Sequence, residues 1–340
     1  MTETEPKPSI SFDEVLSALL DTGTPFPPIY LHRFSDLDQK EIRELKKIWD
    51  QVNTDRRAAL LIDLEELAEA DTLVNFDEIS RLALTDGDPR ARSTAVRLLW
   101  ESEDPQLIPT FLQMMQSDPD AIVRASAATS LGTFVYTGEL EEIPEDALNQ
   151  TVDELLKVAS GKDEPLVRRR ALESLGFSGR PEVTPQIKAA YHREDPEWRA
   201  SALFAMGRSA DAVWQQYVLE SLEDPEPEVL VEAVRAAGAL ELKITQPLLM
   251  QMIEDPTQLD TDLYAAVVWS LSQIGGEGVR ERLDELLDET EDEEEMGFLE
   301  SAIDNLEFTE GFDLFDMLDV EPRDEDDLDS LIDLNDNGKE

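Results

Sequence analysis

The middle of the chain repeats itself, and nothing else in the sequence limits the fold as much. An Asp-Pro, a short polar stretch and an Ala-rich run ending near Leu-Gly recur along the chain. The copies are DGDPRARSTAVRLLW from Asp86, SDPDAIVRASAATSLG from Ser117, KDEPLVRRRALESLG from Lys162, EDPEWRASALFAMG from Glu194 and EDPEPEVLVEAVRAAG from Glu223. A looser copy starts at Asp255. Aligning the small residue of each run, with weaker copies at both ends, gives Ala59, Ala95, Ala127, Ala171, Ala202, Ala233, Val267 and Ala302. The steps are 36, 32, 44, 31, 31, 34 and 35 residues. Such a period, with one insertion, predicts stacked helical units. The long step fits the extra segment GELEEIPEDALNQ, from Gly138 to Gln150.

Each copy reads as two helices. Asp88, Asp118, Asp195 and Asp224 are the expected N-caps, because a carboxylate there accepts from the first free amides. The following Pro suits a first helical position, where no donor is needed. Ala and Leu four apart, as in Ala127/Leu131 and Ala171/Leu175, fall on one face and pack inward. Gly132, Gly176, Gly207 and Gly238 allow a left-handed exit or a close helix approach. The stretches between the copies supply the partner helices, among them PQLIPTFLQMMQ, TVDELLKVA, VTPQIKAAY, AVWQQYVLESL and TQPLLMQMI. One helix pair cannot bury its apolar face alone, whereas a stack can.

The pattern resembles HEAT repeats, and among them the short phycobilisome-lyase type. The residues that carry the resemblance are the Asp-Pro, the Ala-to-Leu-Gly spacing, and an Arg three before the small residue: Arg56, Arg92, Arg124, Arg168 and Arg199. It covers about Ser35 to Phe308. The last copies depart, with Leu230, Tyr264 and Leu299 at the Arg position, and Trp100 and Ser272 stand where other copies have Gly. The resemblance implies an all-α fold, an α-solenoid (a HEAT-like or armadillo-type superhelix) of about 7–8 helix pairs. In such repeats the Arg pairs with an Asp of the same or the adjacent inter-helix turn; an anion-binding stripe is the competing reading. The family implies a non-enzymatic protein-binding scaffold or adaptor. A tetrapyrrole (bilin) lyase-like or chaperone-like attachment factor is the alternative.

Around the repeats, residues 1–34 are expected to form a short helix (FDEVLSALL) and a Pro-rich strap packed through Phe26, Ile29 and Tyr30. Residues 35–309 form the repeat array, and 310–340 an acidic disordered tail. The tail expectation comes from charge: residues 281–340 hold 26 acids against 3 bases. Sparse apolar residues in a self-repelling segment do not build a core. The tail carries two apolar clusters, Phe312/Leu314/Phe315/Met317/Leu318 and Leu328/Leu331/Ile332/Leu334. The first is expected to cap the last unit and the second to be a free docking motif or to have no role.

The whole chain has 29 basic and 78 acidic residues, a net charge of −49. That surface repels nucleic-acid phosphates and anionic membranes. It favours a protein partner with a basic surface, steered electrostatically. Solubility alone is the competing explanation of the charge. MTETEPKPSISF lacks a basic region followed by an apolar one, so no signal peptide is expected, and the reading is a cytoplasmic, monomeric protein.

Catalytic chemistry finds little to work with. There is no Cys, and only His32 and His192 carry imidazole. Around Lys162, SGKDE lacks the glycine and hydroxyl of a phosphate loop, and the Gly275-Gly276-Glu277-Gly278 cluster lacks the third glycine of a dinucleotide fingerprint. Asp333-Leu-Asn335-Asp-Asn337-Gly338 matches the start of a calcium loop but lacks its closing Glu. No enzyme activity, cofactor or metal is therefore expected. The candidate partner-binding residues are Arg97, Trp100, Arg170, Arg208 and Arg235 on the second helix of each pair, with Leu328, Leu331 and Ile332 in the tail. Gathering arginines on those helices is expected to leave their face less negative than the rest.

Overall fold

The fold is that of a computed structural model, which describes residues 10–317 and the side chains of 10–309. The described residues are helical, and after a leading helix they form eight helix pairs in sequence. The leading helix is α1 (Phe12–Leu20). The pairs are α2 (Gln39–Ile48) with α3 (Thr54–Ala70), α4 (Asp77–Ala83) with α5 (Pro89–Leu98), and α6 (Ile108–Ser117) with α7 (Ala121–Glu139). Then come α8 (Glu145–Ala159) with α9 (Pro165–Leu175), α10 (Val183–Tyr191) with α11 (Pro196–Arg208), and α12 (Gln215–Ser221) with α13 (Pro227–Ala239). The last two are α14 (Gln246–Met252) with α15 (Thr261–Ile274) and α16 (Val279–Glu289) with α17 (Glu293–Met317). They fall into two compact units, Met1–Trp214 with Asp224–Glu232, and Gln215–Glu223 with Ala233–Glu340. Among the described residues no helix is long and apolar enough to cross a membrane.

In the first unit the expected small residues Ala95, Ala127, Ala171 and Ala202 are fully buried. The helices close up there because a side chain is missing. A Cβ on Gly132 would lie 2.8 Å from Ser174 Oγ, and one on Gly176 only 2.6 Å from the Ala205 carbonyl oxygen. Gly176 itself has φ −54°, so close approach and not a left-handed exit explains it. Serines then tie neighbouring second helices together. Ser130 donates to the Val96 carbonyl at 3.3 Å and Ser174 to the Ala128 carbonyl at 2.8 Å. The long step is absorbed by α7 running on to Glu139 and by a turn before α8.

Two caps fall where expected: Asp88 accepts from Arg90 N and Asp195 from Glu197 N. Two do not. In Asp118-Pro-Asp120 the second carboxylate is the cap of α7, accepting from Ile122 N, while Asp118 accepts from the amide of Asp120. Likewise Asp224 accepts from Glu226 N, ahead of α13. The earlier acid of each motif is thereby free to face a neighbouring repeat.

The first copy is out of register by one. Ala59 is exposed while Ala58 and Leu60 are buried. Arg57, not Arg56, occupies the repeat position, and Arg56 instead donates to the Thr24 carbonyl at 2.6 Å. That bond holds the opening segment, where Phe12, Val15, Leu19 and Phe34 are buried. Phe26 packs against Tyr30 and Phe34, with ring centroids 5.9 and 6.2 Å apart. Ile29 does not join them, being 68% exposed, and residues 28–34 coil into 3-10 turns instead of extending.

In the second unit Ala233, Val267 and Ala302 are fully buried. Ser270 donates to the Val234 carbonyl at 2.8 Å, repeating the serine tie. The glycine cluster after α15 makes a turn: Gly275, Gly276 and Gly278 have φ of 64°, 109° and 82°, which side chains resist. The backbone of α17 continues to Met317. The side chains of the first tail cluster, and all of Leu328, Leu331 and Ile332, lie outside the described residues.

Candidate functional site

A groove of about 1140 Å³ opens in the first unit. Its walls come from α3, the loop before α4, α5 with its exit turn, and the starts of α7 and α9. Three of the residues singled out in the sequence meet there: Arg97, Trp100 and Arg170. Trp100 follows the end of α5, at a position held by Gly in other repeats, and is 61% exposed. Ile122, on the first turn of α7, is 51% exposed on the same groove. Single exposed apolar residues are ordinary, whereas these two line one groove.

The groove's charge is negative. Glu65, Glu69, Asp77, Glu101 and Glu103 line it against Arg97 and Arg170. Both arginines are already engaged. Arg97 places its fork on Glu65, at 2.6 and 2.7 Å. Arg170 binds the buried Glu173, whose other oxygen accepts from Ser201 at 2.6 Å. Arg208 belongs to this second network and not to an open face. Its guanidinium lies over Phe177 and Phe204, 4.5 and 4.2 Å from the ring centroids, and donates to the Glu173 carbonyl at 3.3 Å. Burial pulls the Arg208 pKa down to about 10, with the Glu173 charge opposing that shift. Arg235 lies in the second unit, exposed on α13.

Outside the groove, the repeat arginines form a ladder. Arg92 donates to both oxygens of Asp118, each at 2.8 Å, and to its own turn's Asp86 carbonyl at 2.8 Å. Arg124 does the same with Asp163 (3.0 and 2.6 Å) and the Asp118 carbonyl (2.8 Å). Arg199 binds Asp224 at 3.1 Å and the Glu194 carbonyl at 2.9 Å. In the first copy Arg57 binds Asp86 at 2.6 and 3.2 Å, and Trp49 Nε1 donates to the same carboxylate at 2.8 Å. These arginines therefore pair with an acid of the adjacent turn, as the resemblance implies. Arg168 is the exception.

The two histidines are exposed. His32 Nε2 lies 3.8 Å from the Asp71 carboxylate, and the His192 ring meets the Tyr191 ring edge-on at 5.3 Å.

The family model for HEAT repeats matches residues 76–149 and 215–297. No curated protein matches the sequence. Among solved structures the chain is similar to YibA of Escherichia coli, at 17% identity and a TM-score of 0.43, over 84% of this chain and 98% of that one. It is similar to importin beta at 13% identity and a TM-score of 0.41; the match covers 87% of this chain but 46% of importin beta. It is also similar to the complex of CpcE and CpcF of phycocyanin lyase from Nostoc sp. PCC7120, at 17% identity and a TM-score of 0.38, over 84% and 97% of the two chains. The two stretches that match the HEAT-repeat model together make up just under half of the chain.

Proposed function

We propose that the chain is a non-enzymatic protein-binding scaffold whose first-unit groove takes a basic, amphipathic segment of a partner protein. One observation carries this reading: two exposed apolar anchors, Trp100 and Ile122, lie in a groove with five carboxylates and two arginines already paired. An apolar side chain of the partner would bury against Trp100 while its Lys or Arg residues face Glu69, Asp77, Glu101 and Glu103. Charge of this kind steers encounter and selects partners more than it sets final affinity. We propose further that the chain works as a monomer in the cytoplasm.

A photo-crosslinker at position 122, compared with one at the exposed Val213, tests it in native lysate. The expected result is a protein trapped at 122 alone, through a segment rich in Lys and Arg, and lost at high salt. Trp100→Ala should weaken its capture at least tenfold with an unchanged melting curve. A trapped segment that is acidic, or equal trapping at both positions, would overturn the reading. A purified sample that absorbs visible light would point instead to the tetrapyrrole-attachment alternative.

A further inference from the structure

The ladder breaks at one rung in the middle of the first unit. In the other rungs an aspartate stands one or two residues before the helix cap: Asp86 before Asp88, Asp118 before Asp120, Asp163 before Glu164, and Asp224 before Glu226. In the turn before α11 the cap is Asp195 and no aspartate stands just before it: the residue two before is Arg193, and the residue one before is Glu194, exposed and engaged through its carbonyl by Arg199. Arg168, which would pair there, meets an arginine.

A second change accompanies the first. Three residues after the cap, the other helices carry Ala91, Val123, Val167 and Val229, whereas α11 carries the buried Trp198. Both guanidiniums lie over its ring, Arg168 at 5.1 Å and Arg193 at 3.7 Å from the centroid. The indole face takes over part of the missing carboxylate's role, since a ring quadrupole attracts cations. It does not neutralise two of them. Arg168 retains the Ala159 carbonyl, which accepts from Nε at 3.1 Å. Among the described residues no carboxylate forms an ion pair with either guanidinium. Of the acids close in sequence, Asp195 caps α11 and Glu197 pairs with Arg169 at 3.2 Å, while Glu194, next to Arg193, is exposed and its carboxylate pairs with neither guanidinium. Burial, then the charge of Arg168, lowers the Arg193 pKa, with Asp195 acting the other way. Two half-buried like charges on one ring are an arrangement that an added anion would stabilise.

We propose that Arg168 and Arg193, stacked on Trp198, receive a carboxylate from outside the chain: an Asp or Glu side chain of a protein partner, taking the place that the chain's own aspartate fills in the sibling rungs. The repeat itself argues for a carboxylate, since that group satisfies this Arg elsewhere in the ladder. The net charge of −49 does not forbid it, because fields from distant surface charges are screened beyond roughly 8–10 Å at physiological salt. The inference stands apart from the groove and does not depend on it. A partner using both would present basic residues to the groove and an acid to this rung.

The side-chain Nε–Hε signals of the full-length chain test it, with acetate as the probe at constant ionic strength. Arg168→Lys and Arg193→Lys identify the two signals. Both should shift and saturate with acetate, while those of the paired Arg92 and Arg124 stay in place. Arg193→Asp rebuilds the rung: the Arg168 signal should start near its acetate-saturated position and no longer respond. If that variant failed to fold, Arg193→Gln should weaken the Arg168 response at least fivefold. An unsaturable drift shared with Arg92 and Arg124, a response to phosphate but not acetate, or an undiminished Arg168 response in the Arg193 variants would overturn the proposal.

Discussion

The guanidinium of Arg92 grips both oxygens of Asp118 across adjacent repeats, with Nε and Nη2 each 2.8 Å from their acceptor. Asp118 also accepts from the Asp120 amide at 2.9 Å, just ahead of α7. One carboxylate thus joins a turn to the preceding repeat. Asp118→Ala loses both roles and leaves Arg92, itself largely buried, without its counter-ion. Charge-assisted hydrogen bonds of this kind contribute about 1.5–3 kcal/mol. Chemical denaturation should register a loss in that range, and Asp118→Asn, which keeps an acceptor for the Asp120 amide, a smaller one.

The first rung should be more sensitive. Asp86 is buried, holds Arg57 by two bonds and accepts from Trp49 Nε1. Asp86→Ala strands a buried cation and an indole donor, for an expected loss of about 3–5 kcal/mol. Replacing both charges, Arg57→Met with Asp86→Leu, should cost less than the single change, because no charge is left unpaired. Equal or additive losses in a double-mutant cycle would show that the pair is not what the site depends on.

Two glycines should answer in opposite senses. Gly176→Ala drives a Cβ against the backbone of Ala205, with the carbonyl oxygen at 2.6 Å and Cα at 2.8 Å. Backbone cannot swing aside, so overpacking of about 1–3 kcal/mol is expected. A Cβ on Gly297, inside α17, meets nothing within 4 Å. There alanine should stabilise by about 0.5–1 kcal/mol, the conformational cost of glycine in a helix. Thermal melts of the two variants decide the matter by sign alone.

The fold was readable because each repeat carries its own punctuation. Pro at the first helical position, a buried Ala and a tight Gly recur, so errors in one copy do not propagate. The errors arose where two candidates stood side by side. Arg56 and Arg57, or Ala58 and Ala59, are interchangeable until the position of Asp86 is known. In Asp118-Pro-Asp120 both acids can cap, and only the neighbouring Arg92 draws the first away. The groove was legible in part. Arg97, Trp100 and Arg170 converge, but their surroundings did not show in the sequence: acids are so abundant that Glu65 and Glu173 carried no signal as partners. The face expected to be less negative is acidic in the groove for that reason. The broken rung did carry a signal, since Arg193, two residues before the cap, and Trp198, three after it, both depart from the other repeats when the helix caps are aligned.

Two aspartates should give stability profiles of opposite sign against pH. The Arg124 guanidinium holds the Asp163 carboxyl below the usual carboxylate range, with burial opposing. A folded pKa below the unfolded value of about 3.9 means stabilisation that is full above that pH and lost below it. Asp163→Asn should therefore be destabilised relative to wild type by a constant amount from pH 7 to 5, and the gap should close in more acid solution. Asp63 is the reverse case: burial, then the neighbouring Glu66 charge, raises its pKa. Its ionised form is disfavoured in the folded chain, so Asp63→Asn should be the more stable protein at neutral pH. That advantage should fade as the pH falls through the raised pKa and wild type takes up the proton. Urea unfolding of the three proteins across this range gives both differences, and parallel profiles for the two variants would contradict the assignment of either carboxylate.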